Sequence, residues 1–435
     1  MNYKLSLTLL YIIIILLSCE SEQNDKITKS SVLSSFEKIE SIHSNIDFVN
    51  KITPSFDNKA NLFDYDYFYN GSGVGVADFN NDGLKDIILS ANQTENKIYV
   101  NKGGLVFEDI TLDANINENK KWSSGVAIAD VNNDGWMDIY ISQGGPSSSN
   151  DRKNLLYINQ KDLTFKEQAQ EYGLDDKGIS TQSAFFDFDK DGDLDCLVMN
   201  ENSYYGIDPL QFYTILKDKE KLKLNSSQLY EQVNGKFINI TEKAGLLKPS
   251  FGLGLCISDI NNDNWLDIYI ANDYYVPDAM YINNKNGTFS DKIKQNTKQV
   301  SFFGMGVDIA DINNDNLKDI FVLDMASSDH IRSKTLMASM SVSNFDLLTK
   351  KLNLPYQYMF NSLQLNMGGS KFHNIAQVSG LSKTDWSWAG LIFDYNNDSN
   401  EDVYITNGYR KYASDNDSRI RINKIKQQYN NKVPL

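Results

Sequence analysis

The sequence predicts an all-β fold, a β-propeller of four-stranded blades, and three observations carry that expectation. Six aspartate-rich loops of nine residues recur, starting at Asp78, Asp130, Asp187, Asp259, Asp311 and Asp394. Each runs directly into an apolar, β-branched segment such as Asp138-Ile139-Tyr140-Ile141 or Asp319-Ile320-Phe321-Val322, which reads as a buried strand. The loop starts lie 52, 57, 72, 52 and 83 residues apart, which suits one small β-unit per loop with insertions between units.

Within each unit the first strand is the segment before the loop, as in Gly73-Val74-Gly75-Val76-Ala77 and Gly306-Val307-Asp308-Ile309-Ala310. The second is the apolar run after it. A third follows a polar turn, at Ile98-Tyr99-Val100-Asn101, Leu156-Tyr157-Ile158-Asn159, Met280-Tyr281-Ile282-Asn283 and Leu363-Gln364-Leu365-Asn366. Phe107, Phe165, Phe237, Phe289 and Phe372 mark the fourth. An open solenoid needs polar caps and a more even period, whereas propeller blades tolerate long insertions, so the closed arrangement is expected.

The loops carry the chemistry. Positions 1, 3, 5 and 9 are Asp78, Asn80, Asp82 and Asp86 in the first loop and Asp130, Asn132, Asp134 and Asp138 in the second. They are Asp187, Asp189, Asp191 and Asp195 in the third and Asp259, Asn261, Asp263 and Asp267 in the fourth. The fifth has Asp311, Asn313, Asp315 and Asp319, and the sixth Asp394, Asn396, Asp398 and Asp402. Calcium takes six to eight oxygens at roughly 2.3–2.6 Å, which alternating side-chain oxygens and a position-7 carbonyl in a tight loop supply. About six structural Ca2+ ions are therefore expected, one per loop. Asparagine- and aspartate-rich turns that bind nothing are the plain alternative. Six loops agreeing at four positions favour the metal.

The turn at position 6 calls for a left-handed residue, and Gly83, Gly135, Gly192, Asn264 and Asn316 suit it, while Ser399 in the sixth loop suits it less. Position 12 separates these loops from EF-hands, which need a bidentate glutamate there at the start of a helix. Here it is Leu89, Ile141, Val198, Ile270, Val322 or Ile405, inside a strand.

The chain holds 57 acidic against 42 basic residues, a net charge of −15. Nineteen carboxylates stand at the loop positions, so three or four negative charges crowd each loop; six calcium ions would leave about −3. Folding and calcium binding are thus expected to be coupled. The same arithmetic disfavours nucleic acid, since Arg410-Lys411 and Arg419, Arg421 and Lys424 make no basic stripe.

At the N-terminus Lys4 precedes an apolar stretch from Leu5 to Leu17, too short to span a bilayer. Leu16-Leu17-Ser18-Cys19 ends it as a secretory signal that resembles the bacterial lipobox, with Cys19 as the acylated residue. Residues 1–18 are read as signal peptide, 19–45 as polar tether, 46–412 as propeller and 413–435 as polar tail. Glu20-Ser21-Glu22 resembles a signal for the outer face of a Gram-negative outer membrane. Cys196 and Cys256, in strand-like runs, read as buried thiols.

Two insertions stand out as recognition candidates: Ser203 to Gln228, with Tyr204, Tyr205 and Phe212, and Ser327 to Tyr358, with Met337, Met340 and Tyr356 and helical spacing around Phe345, Leu347 and Leu348. They equally suit packing on the rim. Trp136 and Trp265 hold position 7 of their loops, and Trp122, Trp386 and Trp388 precede loops; most read as packing residues. His43, His330 and His373 fall in no motif, so no catalytic residues are assigned.

The repeats resemble the FG-GAP or VCBS family, which includes the integrin alpha-subunit head and bacterial surface lipoproteins related to cartilage acidic protein. Phe251-Gly252-Leu253-Gly254 and Phe303-Gly304-Met305-Gly306 carry its Phe-Gly element, and the resemblance runs from about Phe63 to Tyr409. It implies seven blades, structural calcium, and loops on one face that bind protein or glycan partners. Only six loops are visible. A seventh blade is expected from segments without the aspartate spelling, such as Ile46-Asp47-Phe48-Val49 and Tyr65-Asp66-Tyr67-Phe68-Tyr69, or else lies outside this chain. The expected function is a lipid-anchored, non-enzymatic adhesion or binding module, an accessory to outer-membrane nutrient uptake. The runner-up is a calcium-bearing polysaccharide lyase.

Overall fold

The computed structural model describes residues 36–408 apart from 63, 117–120, 147–151, 205 and 336–340, together with five positions between 420 and 428. The chain divides into Met1–Ile39 and Glu40–Leu435, and the elements below belong to the second unit. Cys19 and the signal segment, Phe63, Tyr205, Met337, Met340, Tyr409 and most of the tail lie outside the described residues.

Among the described residues twenty-five strands form mostly antiparallel sheets. Sheet one is β1 (Val74–Ala77), β2 (Asp86–Leu89), β3 (Lys97–Asn101) and β4 (Phe107–Asp109). Sheet two is β5 (Ser123–Ala129), β6 (Asp138–Gln143), β7 (Leu155–Asn159) and β8 (Phe165–Glu167). Sheet three is β9 (Ile179–Phe186), β10 (Asp195–Glu201), β11 (Gln228–Val233) and β12 (Lys236–Asn239), and sheet four is β13 (Gly252–Ser258), β14 (Asp267–Asn272), β15 (Ala279–Asn283) and β16 (Phe289–Asp291). A short β17 (Val300–Ser301) precedes sheet five, whose strands β18 (Val307–Ala310) and β19 (Asp319–Val322) are followed by β20 (Met325–Ala326) and β21 (Gln357–Tyr358). Sheet five closes with β22 (Ser362–Asn366) and β23 (Phe372–Asn374), and β24 (Asp385–Phe393) and β25 (Asp402–Asn407) join β20 as sheet six. β17 and β21 pair in parallel.

In sheets one to five each aspartate loop is the turn between the first two strands, in sheet six it joins β24 to β25, and in all six the position-9 aspartate opens the strand that follows. Ala77 pairs with Asp86, Ala129 with Asp138, Phe186 with Asp195, Ser258 with Asp267, Ala310 with Asp319 and Phe393 with Asp402. The five phenylalanines expected in fourth strands all lie there. The third strand of sheet three, β11, was hidden behind the first insertion.

Consecutive sheets meet through their first strands, β1 with β5, β5 with β9, β9 with β13, β13 with β18 and β18 with β24. The approach is close enough to exclude a side chain: a Cβ on Gly73 would sit 2.7 Å from Ser124 O, and one on Gly125 2.6 Å from Thr181 O. A separate apolar core fills each junction, as where Ile88, Ile98, Ile139, Ile141 and Tyr157 pack with Val126 and Ile128 between sheets one and two. The side chain two residues after each position-9 aspartate faces the next sheet. Ile88, Tyr140, Leu197, Tyr269 and Phe321 are at most 1% exposed there, whereas Tyr404, in sheet six, is 51% exposed. At the other end Val74 and Val76 of β1 are 59% and 58% exposed, while their counterparts Val126 and Ile128 pack on sheet one. Among the described residues, apolar side chains at both ends of the array are therefore exposed.

The segments considered for a seventh blade are not strands. Residues 46–54 are irregular, and the described residues of 64–70 form turns. The alternation of Tyr65, Tyr67 and Tyr69 resembles a strand, but tertiary partners override it. Tyr65, Tyr67 and Phe68 turn inward onto Trp122, with Leu253 and Tyr274 alongside.

The insertions are helical. Pro209–Ile215 and Lys219–Leu224 are capped by the Asp208 and Asp218 carboxylates, and Val342–Asp346 runs into a π-helical turn at Leu347–Lys351. Phe212 and Leu348 are buried in one cluster with Phe251, Tyr275 and Val276, so each insertion seats a side chain on sheet four. Cys196 is buried and Cys256 half-buried, and both are free thiols.

Candidate metal centres

All twenty-four predicted loop residues are described, and each loop gathers its own four. In loop one Asp78 Oδ1 accepts from Asp82 N at 3.1 Å and its Oδ2 from Gly83 N at 2.8 Å. Asn80 Oδ1 accepts from Asp82 N at 3.1 Å, and Asp82 Oδ1 from Leu84 N at 2.8 Å. Asp86 closes the loop by accepting from Phe79 N at 2.9 Å and from Asn101 N, on the third strand, at 2.8 Å. Loops two, four and five repeat this set. The backbone winds round the carboxylates with its N–H groups turned toward them, as a tight oxygen-ligand loop requires.

Position 6 is left-handed in every loop, with φ of 88°, 86°, 96°, 65°, 65° and 70° from Gly83 to Ser399. Ser399 thus takes the conformation its type disfavours. Position 4 is left-handed as well, at Asn81, Asn133, Lys190, Asn262, Asn314 and Asn397, which the sequence reading missed. Five asparagines in six loops were the available signal, because asparagine tolerates this region best after glycine.

The loops are not equal. In five of them the position-3 asparagine donates its Nδ2 to the position-5 carboxylate, at 2.9 Å from Asn80 to Asp82 in the first. Loop three has Asp189 there, and the ligand oxygens of Asp187, Asp189 and Asp195 lie within 4.8 Å of one another. Asp193 adds a fifth carboxylate, with Oδ1 buried and unpartnered. In loop six Asp402 Oδ2 is likewise buried without a partner. Loops two and four each receive an ammonium from the turn between the last two strands of their sheet: Lys161 Nζ is 3.4 Å from Asp134, and Lys285 Nζ 3.2 Å from Asp263.

Burial, ahead of the neighbouring aspartates, raises the position-9 carboxyls. Asp138 is pushed up to about 6, Asp195 to about 7 and Asp267 to about 7, against backbone N–H groups that lower them; Asp86 and Asp319 also rise. Burial and three flanking aspartates raise Asp193 to about 6. Concentrated, partly desolvated negative charge of this kind is what a divalent cation relieves. The all-oxygen donor set and the orphaned oxygens in loops three and six fit calcium.

At the other end of the second strands, buried acids have hydroxyl partners instead. Tyr65 donates to Glu201 at 2.6 Å, Tyr67 to Asp273 at 2.7 Å and Ser301 to Asp324 at 2.5 Å, and Tyr274, just past the second strand of sheet four, donates to the half-buried Asp66 of the N-terminal segment. Burial raises Glu201 to about 8, helped by Asp273 and Asp66 and opposed by the Tyr65 hydrogen bond and Arg152. Asp273 rises to about 7 and Asp324 to about 6, again mainly by burial. The N-terminal segment thereby ties together sheets three and four.

Repeated antiparallel sheets, each opening on an aspartate loop, define a modular β-repeat protein. Residues 78–141 and 259–322 match the model of the FG-GAP-like repeat, so these two segments of the chain are similar to that repeat. Each match runs from the first aspartate of one loop to the strand after the next, so the two cover loops one, two, four and five. Among curated proteins nothing matches. Among solved structures the chain is similar to the V. cholerae biofilm matrix protein Bap1, at 13% identity and a TM-score of 0.36, covering 73% of this chain and 41% of that one. It is also similar to BBS1N, solved in complex with ARL6DN, at 9% identity and a TM-score of 0.39, covering 77% of this chain and 75% of that one. The chain spans less than half the length of the Bap1 chain.

Proposed function

We propose that this chain is a calcium-stabilised, non-enzymatic binding module of the bacterial cell surface, its sheets arranged as blades of a propeller and its N-terminus anchored in the outer membrane through Cys19. The observation that carries the reading is the loop scaffold, in which backbone N–H groups hold the position-1, -3, -5 and -9 side chains together in repeated geometry. Calcium in those loops would offset the −15 charge and rigidify the turn that opens each sheet.

A rigid scaffold of this kind presents its insertions for recognition. Leu210 and Leu224 on the first insertion and Val342 and Tyr356 on the second are more than half exposed, which suits a protein partner better than a glycan. The lyase reading finds less support, because His43 bonds Gly104 O beside sheet one while His373 lies on β23. The test is capture from a cell-envelope extract with residues 20–435, with calcium and with chelator. A specific protein retained only with calcium is expected. Retention on polysaccharide alone would replace the protein partner with a glycan, and release of unsaturated sugars would replace binding with catalysis.

A further inference from the structure

Two sets of side chains link neighbouring loops, and neither belongs to the ligand positions. The first is the left-handed residue at position 4. Asn81 Nδ2 donates to Gly135 O of loop two at 3.2 Å, Asn262 to Asn316 O of loop five at 2.8 Å, and Asn314 to Ser399 O of loop six at 3.3 Å. In each case the acceptor is the position-6 carbonyl of the next loop. Loop three makes the same step differently, with Lys190 Nζ 4.7 Å over the Trp265 ring of loop four.

The second set is the asparagine ending the third strand. Asn283 N donates to the position-9 Asp267 of its own sheet at 2.8 Å, and its Nδ2 donates to Phe188 O of the preceding loop at 2.8 Å. Phe188 N in turn donates to Asp195, the position-9 carboxylate of loop three, at 3.2 Å. One asparagine and the backbone of one residue thus separate the position-9 carboxylates of adjacent loops. Asn159 makes the same path between loops one and two through Phe79, and Asn366 between loops four and five through Ile260.

Among the described residues both sets are missing between loops two and three, and between loops five and six the first set alone makes the link. Asn133 of loop two has the left-handed backbone but no such bond, and sheet three carries Gln232, whose Nε2 turns back to Leu194 O of its own loop. We propose that these side chains couple calcium binding between adjacent loops, so that loops one and two fill as one group and loops three to six as another. Filling one loop fixes the position-9 carboxylate and the position-4 turn that hold its neighbour, so the second ion meets a loop already ordered. This inference rests on the loops binding calcium.

Trp265, at position 7 of loop four, gives a local readout as the difference between each variant and the same variant carrying Trp265→Phe, which cancels the signal of the other four tryptophans. Asp311→Asn removes the charge of the first ligand of loop five and so weakens that site, and it is expected to move the calcium midpoint of Trp265 fluorescence upward about three- to tenfold, the worth of about one hydrogen bond. Asp78→Asn, across the break, is expected to leave that midpoint in place. With Asn262→Ala and Asn366→Ala combined, Asp311→Asn should no longer be felt at Trp265, while Asn133→Ala, which removes an equally left-handed asparagine, should change nothing. Asn314→Ala, on an exposed side chain, gives the same test toward loop six if the combined variant does not fold. A Trp265 midpoint blind to Asp311→Asn, or a shift that survives loss of both links, overturns the coupling. Calorimetry of the unmutated protein separates the cases: calcium bound without coupling refutes this inference alone, and no calcium bound refutes the metal reading with it.

Discussion

The two ends of the second strands bury acidic groups by opposite means. At the loop end carboxylates converge on one another, wrapped in backbone N–H groups, and neighbouring charge adds to burial in raising Asp138, Asp195 and Asp267. At the far end Glu201, Asp273 and Asp324 each meet a hydroxyl. Glu201 Oε2 is buried without a partner, as a neutral carboxyl tolerates better than an ion. In the proposed calcium-loaded protein a divalent cation offsets the buried charge at one end, while at the other burial favours a proton on Glu201. The two should therefore respond to different solution variables.

Chelation is the largest expected break in that comparison. Removing calcium is expected to cost about 2–3 kcal/mol per site filled to a hundred times its dissociation constant, read as a fall in unfolding temperature by calorimetry. An unchanged transition in chelator would place the loops with inert turns. Next come the junctions: Tyr269→Ala, in a fully buried position, should cost about 3–5 kcal/mol in denaturant unfolding, while Tyr404→Ala at the exposed end should stay within about 0.5 kcal/mol. Equal costs would mean that the end of sheet six is covered in solution.

The proton-dependent end is tested by pH. Glu201 is raised from 4.5 to about 8, so the folded protein holds a proton that the unfolded chain releases. Its contribution is full below 4.5 and is lost as pH rises toward 8. Unfolding measured from pH 5 to 8.5 should show that decline, and Glu201→Gln should flatten it; an unchanged slope would assign the pH response to other groups. The smallest effect belongs to Lys285→Met. Its ammonium competes with a cation at Asp263 from a largely solvated position, so calcium affinity in loop four should rise about twofold at low salt and not at high salt.

Much of this was legible in the sequence because it is periodic. The loops, the strands flanking them and the terminal phenylalanines recur at fixed offsets, and local turn chemistry explains the left-handed position 6. What escaped depends on partners distant in the chain. Tyr65 and Tyr67 spell an alternating strand, yet Glu201 and Asp273, more than a hundred residues away, hold them in a turn. Asn159, Asn283 and Asn366 looked like ordinary strand ends, and only the placement of the preceding loop gives their side chains a purpose. Ring closure, expected because the insertions between repeats suit blades better than an open solenoid, is a property of the two ends of the array, and no internal repeat reports on it.

The junctions between sheets are built alike. Each sets a large buried side chain of one second strand against the first strand of the next sheet, with its core contained between those two neighbours. Such parts are interchangeable. A whole repeat can be duplicated or lost by recombination and every surviving junction still finds a matching face, whereas half a repeat leaves a face with nothing to match. The natural unit of change in this architecture is therefore the repeat rather than the residue, and its length is free to vary in whole steps.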